Sequence, residues 1–360
     1  MLKYALAIVL WIAVAAYIAG AASSARAYRR DLKVSGLRID VVDSSAHGHL
    51  VSSARVREWL RRGGIRTVGE SACGVDLAGI EALVARNGFV DEVNAYVAYD
   101  GRLHIDISQR RPLLRLLTDG MNSYVTAGGY VFPAPPSSSL YVPVVTGSYR
   151  PPFPAAYAGT VRARIDAEKH RIDERIAEIE KEKYPFYRRE RENDENIRAL
   201  RRMRIKKGWF EKEEAFARRV RELREHKAAL RRRYRYEQRR IEEGIARIEQ
   251  RQEAERAQQK KLEKSYEDFC KLLTFVEFVE EDDFWRSEVV QIVVTTSASG
   301  APEVALVPRS SDCIVLFGRV EEVERKFDKL LRFYRSGLDN IGWDRYRTID
   351  VRFAGQVVCK

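Results

Sequence analysis

This chain lacks the short signatures of a catalyst. Its 360 residues hold no G-x-S-x-G nucleophile turn and no GxxxxGK[ST] phosphate loop, which argues against serine-elbow acyl transfer and P-loop nucleotide chemistry. Cysteine is scarce: Cys73, Cys270, Cys313 and Cys359 are the only four. None has CxxC or other metal-ligand spacing, so free or buried thiols are expected. Histidine is scarce too, with five residues, His47, His49, His104, His170 and His226. His47-Gly48-His49 is the one close pair; no cysteine or carboxylate set completes a metal site around it, and it reads as a loop. Asp and Glu are plentiful, but they lie on charged helical stretches where solvation accounts for them. The expectation is no catalytic residue, no cofactor and no metal.

Long apolar runs are also missing, with one exception. Tyr4 to Ala25 is uncharged and mostly apolar. At ~1.5 Å per residue its 22 residues could cross a ~30 Å hydrocarbon core, so a single-pass membrane helix is expected. The alternative is a cleaved signal peptide with Ala19-Gly20-Ala21 as its small-residue site. Lys3 precedes the run, whereas Arg26, Arg29, Arg30 and Lys33 follow it; charge alone would keep the large remainder in the cytoplasm.

What is abundant is positive charge, and it is concentrated. The net charge is +12, and Val161 to Ser265 holds 34 Lys and Arg against 23 Asp and Glu. In that segment Ile165, Ile172, Ile176 and Ile179, then Phe216, Val220, Leu223 and Leu230, then Ile241, Ile245 and Ile248 make a narrow apolar stripe. The pattern predicts a helical hairpin turning at Lys207-Gly208, with Pro185 kinking or splitting the first arm. A solvated antiparallel coiled coil explains it. A device for reach, or a basic face at Arg231 to Arg240 for acidic lipid headgroups or nucleic acid, are the other readings.

The flanks read as α+β. Leu37, Ile39 and Val41 alternate as a strand. Ser53 is expected to cap a helix carrying Val56 and Leu60, and Asp76 a second carrying Leu77, Ile80, Leu83 and Val84. Val90 to Tyr99 and Arg102 to Ile107 form a hairpin around Asp100-Gly101. Short strands are expected through Leu113 to Gly147. Beyond the insertion come an apolar helix at KLLTFVEFV, strands at Val289 to Thr296, Val304 to Val307 and Ile314 to Phe317, and a helix with Val320, Val323, Phe327, Leu330, Leu331 and Tyr334 on one face. Tyr346 to Phe353 and Gln356 to Val358 close the chain as strand.

Several segments together resemble the FtsQ/DivIB family of bacterial cell-division proteins, in a Bacteroidetes-type form. LHIDISQRRPLLRLL (Leu103 to Leu117) is similar to the family's junction, where the last strand of a POTRA module passes through an Arg-x-Pro-like turn. NSYVTAGGYVFP and Val142 to Gly147 look like its next strands. Val304 to Leu338 resembles its strand-strand-helix segment, and Asn340 to Lys360 its closing strands. The segment Val161 to Tyr266 has no counterpart in that pattern.

The resemblance implies a short cytoplasmic start and transmembrane helix (1–32), a POTRA module of β-α-α-β-β order (33–111), and the first part of an FtsQ-type β domain with a linker (112–160). The charged helical hairpin or coiled coil (161–266) interrupts that domain, which resumes over 267–360. It implies a non-enzymatic divisome scaffold of the inner membrane, with its large part periplasmic at the septum. There it would bind FtsB/FtsL-type partners through a C-terminal sheet edge and help control septal wall synthesis. By position, Tyr346, Ile349, Val351, Phe353 and Val357 are the partner-binding residues it implies, though alternating apolar residues there also suit a core. A periplasmic site removes nucleic acid as a partner and leaves lipid contact or self-association for the insertion. Arg110, Arg111 and Pro112 mark the domain junction, where they orient the modules, meet a partner or simply lie in solvent. The competing function is a POTRA-bearing assembly or transport component, or an envelope linker built on the coiled coil.

Overall fold

The computed structural model describes residues 2–42, 50–118, 120–135, 139–298, 300–338 and 346–360, with the side chains of 2–9, 26–31, 337 and 338 left aside. His47 and His49, and the Asn340 to Arg345 part of the segment that resembles the family's closing strands, lie outside the described residues. Helix α1 (Leu2–Asp31) contains the apolar run. Among the described residues no helix is long and apolar enough to cross a membrane.

The chain divides into two compact units, residues 1–161 with 268–360, and residues 162–267. The first unit opens with a small α/β module: β1 (Gly36–Val41), α2 (Ser53–Arg62), α3 (Leu77–Ala85), β2 (Val90–Val97) and β3 (Arg102–Gln109). Its sheet has the order β1-β3-β2, with β1 parallel and β2 antiparallel to β3. Every second residue of β3, Leu103, Ile105 and Ile107, is buried against Val56 and Leu60 of α2 and Ile80 and Val84 of α3. Asp76 caps α3, its Oδ1 accepting from the Gly79 amide at 2.9 Å. The cap of α2 is Ser52 rather than the expected Ser53. Ser52 has the extended backbone a cap requires, and its Oγ accepts from the Arg55 amide, whereas Ser53 is already the first helical residue.

A ten-stranded sheet follows. It comprises β4 (Pro112–Thr118), β5 (Met121–Thr126), β6 (Tyr130–Pro133), β7 (Val144–Gly147), β8 (Gly159–Thr160), β9 (Val289–Thr296), β10 (Pro302–Pro308), β11 (Ile314–Arg319), β12 (Thr348–Asp350) and β13 (Val358–Cys359). The order is β13-β12-β11-β10-β9-β7-β4-β5-β6-β8. Strands from before and after the helical segment thus share one sheet, joined where β7 runs parallel to β9 with Val145 opposite Ile292. Helix α8 (Val323–Phe333), continued by a π-helical turn (Tyr334–Leu338), connects the parallel strands β11 and β12.

One face of the sheet is covered by α8, by α7 (Asp283–Glu288) and by the last turns of α6 (Glu213–Glu281). Phe327 of α8 has the rings of Trp285, Phe317, Phe278 and Phe275 at 4.6, 5.0, 5.1 and 5.7 Å. Burying one such phenyl contributes ~2–3 kcal/mol by area. KLLTFVEFV is therefore the end of α6 and not a separate helix; no glycine or proline interrupts the chain between Gly244 and Glu281.

The second unit is an antiparallel helical hairpin. One arm is α4 (Val161–Lys181) followed by α5 (Tyr184–Arg202), with Pro185 in the first turn of α5 where its missing N–H costs nothing; the other is α6. Partners run in opposite directions along the arms: Arg175 with Glu255, Glu182 with Arg251, Asn193 with Gln238, and Lys227 with the Met203 carbonyl. Asn193 and Gln252 are buried. Asn193 donates to the Tyr234 carbonyl at 3.1 Å and Gln252 to Glu180 at 2.8 Å, so a slip of one turn would strand both amides without partners and the register is fixed.

Candidate functional site

The predicted closing strand is shorter in the structure than in the sequence reading. β12 covers only Thr348–Asp350, and residues 351–357 turn back to β13. Asp350 ends the strand. Its carboxylate accepts from the Arg352 amide at 3.0 Å, a local bond that competes with the ladder. The same carboxylate takes the Arg352 guanidinium on both oxygens, Nη2 to Oδ2 at 2.6 Å and Nε to Oδ1 at 2.9 Å. These bonds hold the Asp350 carboxyl below its ordinary range, against the opposing pull of burial.

Lys329 of α8 secures the turn from the other side. Its Nζ donates to the carbonyls of Val351 at 2.7 Å and Phe353 at 2.5 Å, and burial lowers the pKa of its ammonium. Lys326, one turn earlier, is buried and donates to the carbonyls of Phe317 and Arg319 at the end of β11. Two lysines on the sheet-facing side of an amphipathic helix thus tie down backbone carbonyls of β11 and of the turn after β12.

β13 pairs antiparallel with β12, Ile349 opposite Cys359 and Asp350 opposite Val358. Thr348 and Lys360 exchange both backbone hydrogen bonds. By the alternation of such ladders, Cys359 directs its N–H and C=O away from β12. β13 is the outermost strand at its end of the described sheet, so these groups face the open side.

Of the five residues expected at a partner surface, Ile349 and Val351 are 1% and 0% exposed. Their side chains are buried within this chain, so only their backbone is available to a partner. Tyr346 and Val357 are half-buried; Phe353 is exposed at 47%. The sequence reading missed Lys329, Asp350 and Arg352, which shape the edge. The Asp-x-Arg spacing was the one local signal for part of it.

The module junction is packed. Arg110 donates from Nη1 to Asp91 of β2 at 2.6 Å, and its guanidinium lies 3.7 Å from the ring centroid of Tyr130 of β6. It therefore bridges the small module and the large sheet. Next to it, the side-chain Oε1 of the buried Gln109 accepts from the amides of Leu50 and Val51 at 2.6 and 3.1 Å. Leu50 packs with Tyr124, Phe132 and Leu140. Gly88 completes the contact: a Cβ there would sit 2.7 Å from Phe132 Cβ. Arg111 is exposed, and Pro112 opens β4, where a strand tolerates a residue without an N–H.

Among the described residues no group of three His, Cys, Asp or Glu side chains is placed to hold a metal. The β-α-α-β-β module thus packs on a mixed sheet whose outermost described strand at one end is β13. Residues 33–108 match the POTRA-like domain family, and residues 254–360 match the family described as FtsQ/DivIB, C-terminal related. The two matches, in this order along one chain, support the FtsQ/DivIB family and bear out the resemblance read from the sequence. No curated protein matches the chain. FtsQ/DivIB-related domains point to a cell-division protein with divisome proteins as its partners in general, and both families are non-enzymatic scaffold domains. The family also implies a membrane protein of the division site.

Proposed function

We propose that this chain is a membrane-anchored divisome scaffold that captures FtsB/FtsL-type partners by strand addition along the open side of β13 and thereby helps control septal wall synthesis. The observation that carries the reading is the edge itself. β13 is the outermost strand, Cys359 points its backbone groups outward, and Phe353 is exposed beside it. A partner strand laid there gains main-chain hydrogen bonds, and its alternate side chains meet the Phe353 turn. Ile349 and Val351 act indirectly by holding β12 flat on the core.

The anchor in this reading is the run from Tyr4 to Ala25. Leu10, Trp11, Ile12, Tyr17 and Ile18 of α1 are each more than 60% exposed and spread over more than half of the helix circumference. A helix apolar on every side calls for an apolar surrounding. The body of the chain then lies in the periplasm, since large domains translocate largely regardless of flanking charge.

The experiment is a pull-down of soluble FtsB/FtsL-type segments from the same organism with residues 33–360 as bait. Cys359→Pro removes one outward N–H and leaves the β12 bonds of Thr348 with Lys360 in place. Capture should be lost with Cys359→Pro and weakened with Phe353→Ala, while the melting curve changes little. Undiminished capture by a Cys359→Pro bait whose β13 amides remain protected would sink the edge reading. An alkaline phosphatase fusion after Lys33 should be active; an inactive fusion would refute the topology.

A further inference from the structure

The turn of the helical hairpin carries a feature that partner capture at the sheet edge does not use. From the last two residues of α5 to the start of α6 the chain reads RRMRIKKGWFEK over residues 201–212. Trp209 and Phe210 are 94% and 96% exposed, side by side. Six of the twelve residues are Lys or Arg and one is acidic. Two large aromatic side chains left this bare are unusual on a soluble surface and mark an interaction site.

The loop is built to present them. Its single acid, Glu211, is turned inward: its carboxylate accepts from the Gly208 amide at 2.9 Å and from Arg219 Nη1 at 2.8 Å. Lys227 of α6 ties down the other end by donating to the Met203 carbonyl at 2.8 Å. With its negative charge engaged internally and both ends fastened, the turn offers an aromatic pair ringed by the exposed Arg201, Arg202, Arg204, Lys206 and Lys212.

We propose that residues 201–212 are a docking loop for the surface of an anionic phospholipid bilayer. Trp and Phe bury their rings at the level of the headgroups, and the surrounding cations meet lipid phosphates. Charge complementarity selects an anionic surface, and a protruding tip with an aromatic pair suits a soft interface better than a shaped protein pocket. The neighbouring basic run Arg231 to Arg240 is less suited, because its Tyr234 is half-buried and its backbone carbonyl is engaged by Asn193. The inference is independent of the FtsB/FtsL reading.

The test uses the full chain reconstituted in phosphatidylcholine vesicles. A second vesicle population carries brominated acyl chains, either in phosphatidylcholine alone or in an equal mixture with phosphatidylglycerol. In a parallel arrangement the brominated lipid is in the host vesicles, so contact with either surface is seen. Subtracting the emission of Trp209→Phe isolates the tip tryptophan from the other four of the chain's five. The Trp209 signal should be quenched when phosphatidylglycerol is present and untouched when it is absent. The quenching should be lost in Arg204→Gln/Lys206→Gln, with circular dichroism unchanged for each variant. Absence of quenching in both arrangements, equal quenching without phosphatidylglycerol, or quenching that survives the charge substitutions would each overturn the proposal.

Discussion

Replacing Arg110 with Met tests whether the junction orients the two modules. Methionine keeps most of the apolar stem and removes the guanidinium, so the loss reports on charge. Two contacts disappear. The ion pair with Asp91 joins side chains 20% and 50% exposed, so water screens it and it is worth ~0.5–1 kcal/mol. The guanidinium at 3.7 Å from the Tyr130 ring is more sheltered, in the range of ~1–2 kcal/mol for a partly desolvated cation over an aromatic face. The expected destabilisation is about 2 kcal/mol, measured by urea denaturation of residues 33–360. A double-mutant cycle with Tyr130→Leu separates the ring contact from general disruption and should return a coupling of ~1 kcal/mol. Asp91→Asn alone should cost under ~1 kcal/mol. A coupling below ~0.3 kcal/mol, within the scatter of independent sites, would mean that Arg110 and Tyr130 are merely adjacent and that Leu50 and Gln109 hold the junction without them.

Two further perturbations probe the large sheet. Gly147→Ala should destabilise by about 3 kcal/mol or more and cut the folded yield. The position has φ +112° and a Cβ would lie 2.2 Å from the Val294 carbonyl oxygen; a stability close to wild type would show that β7 and β9 can separate at little cost. Asp350 should give the edge an acid limb. Its folded pKa lies below the ordinary 3.8, so its stabilising contribution is complete above that value and disappears as pH falls through the folded pKa. Amide protection of Lys360, followed by hydrogen exchange, should hold from neutrality to ~pH 4 and then fall; Asp350→Asn should lower protection at neutral pH and flatten the acid limb. A limb that persists in the variant would assign it to another carboxylate.

Periodicity made much of the fold legible. The strand, helix, helix, strand, strand order of the first module could be read because each element turns a regular apolar face to one core, as Ile105 and Ile107 do against Ile80. The hairpin could be read because Lys207-Gly208 and Pro185 are strong local punctuation. What escaped was decided by contacts between distant residues. No local pattern says that Val145 will pair with Ile292 across the helical segment, or that Lys329 will reach the carbonyls of Val351 and Phe353. The alternation Ile349, Val351, Phe353 reads as one continuous strand. Yet Asp350 bonds the Arg352 amide and breaks it, so Phe353 leaves the face to which its spacing assigned it. Alternation says which residues share a side; it does not say whether that side meets a core or a partner.

The same long-range pairing explains how a chain can carry so large a helical segment inside one sheet. Arg162 and Tyr266 stand at its two ends, and the Arg162 guanidinium lies 5.5 Å from the Tyr266 ring centroid. The excursion therefore leaves and returns at nearly the same place. To the sheet it is a loop with adjoining ends, and closure entropy rises only with the logarithm of loop length. The hairpin itself offsets that cost with its own seam and its buried Asn193 and Gln252. The sheet then constrains where the segment begins and ends. Trp209 and Phe210 can stand bare at that turn because neither core requires them, and for the same reason neither core explains them.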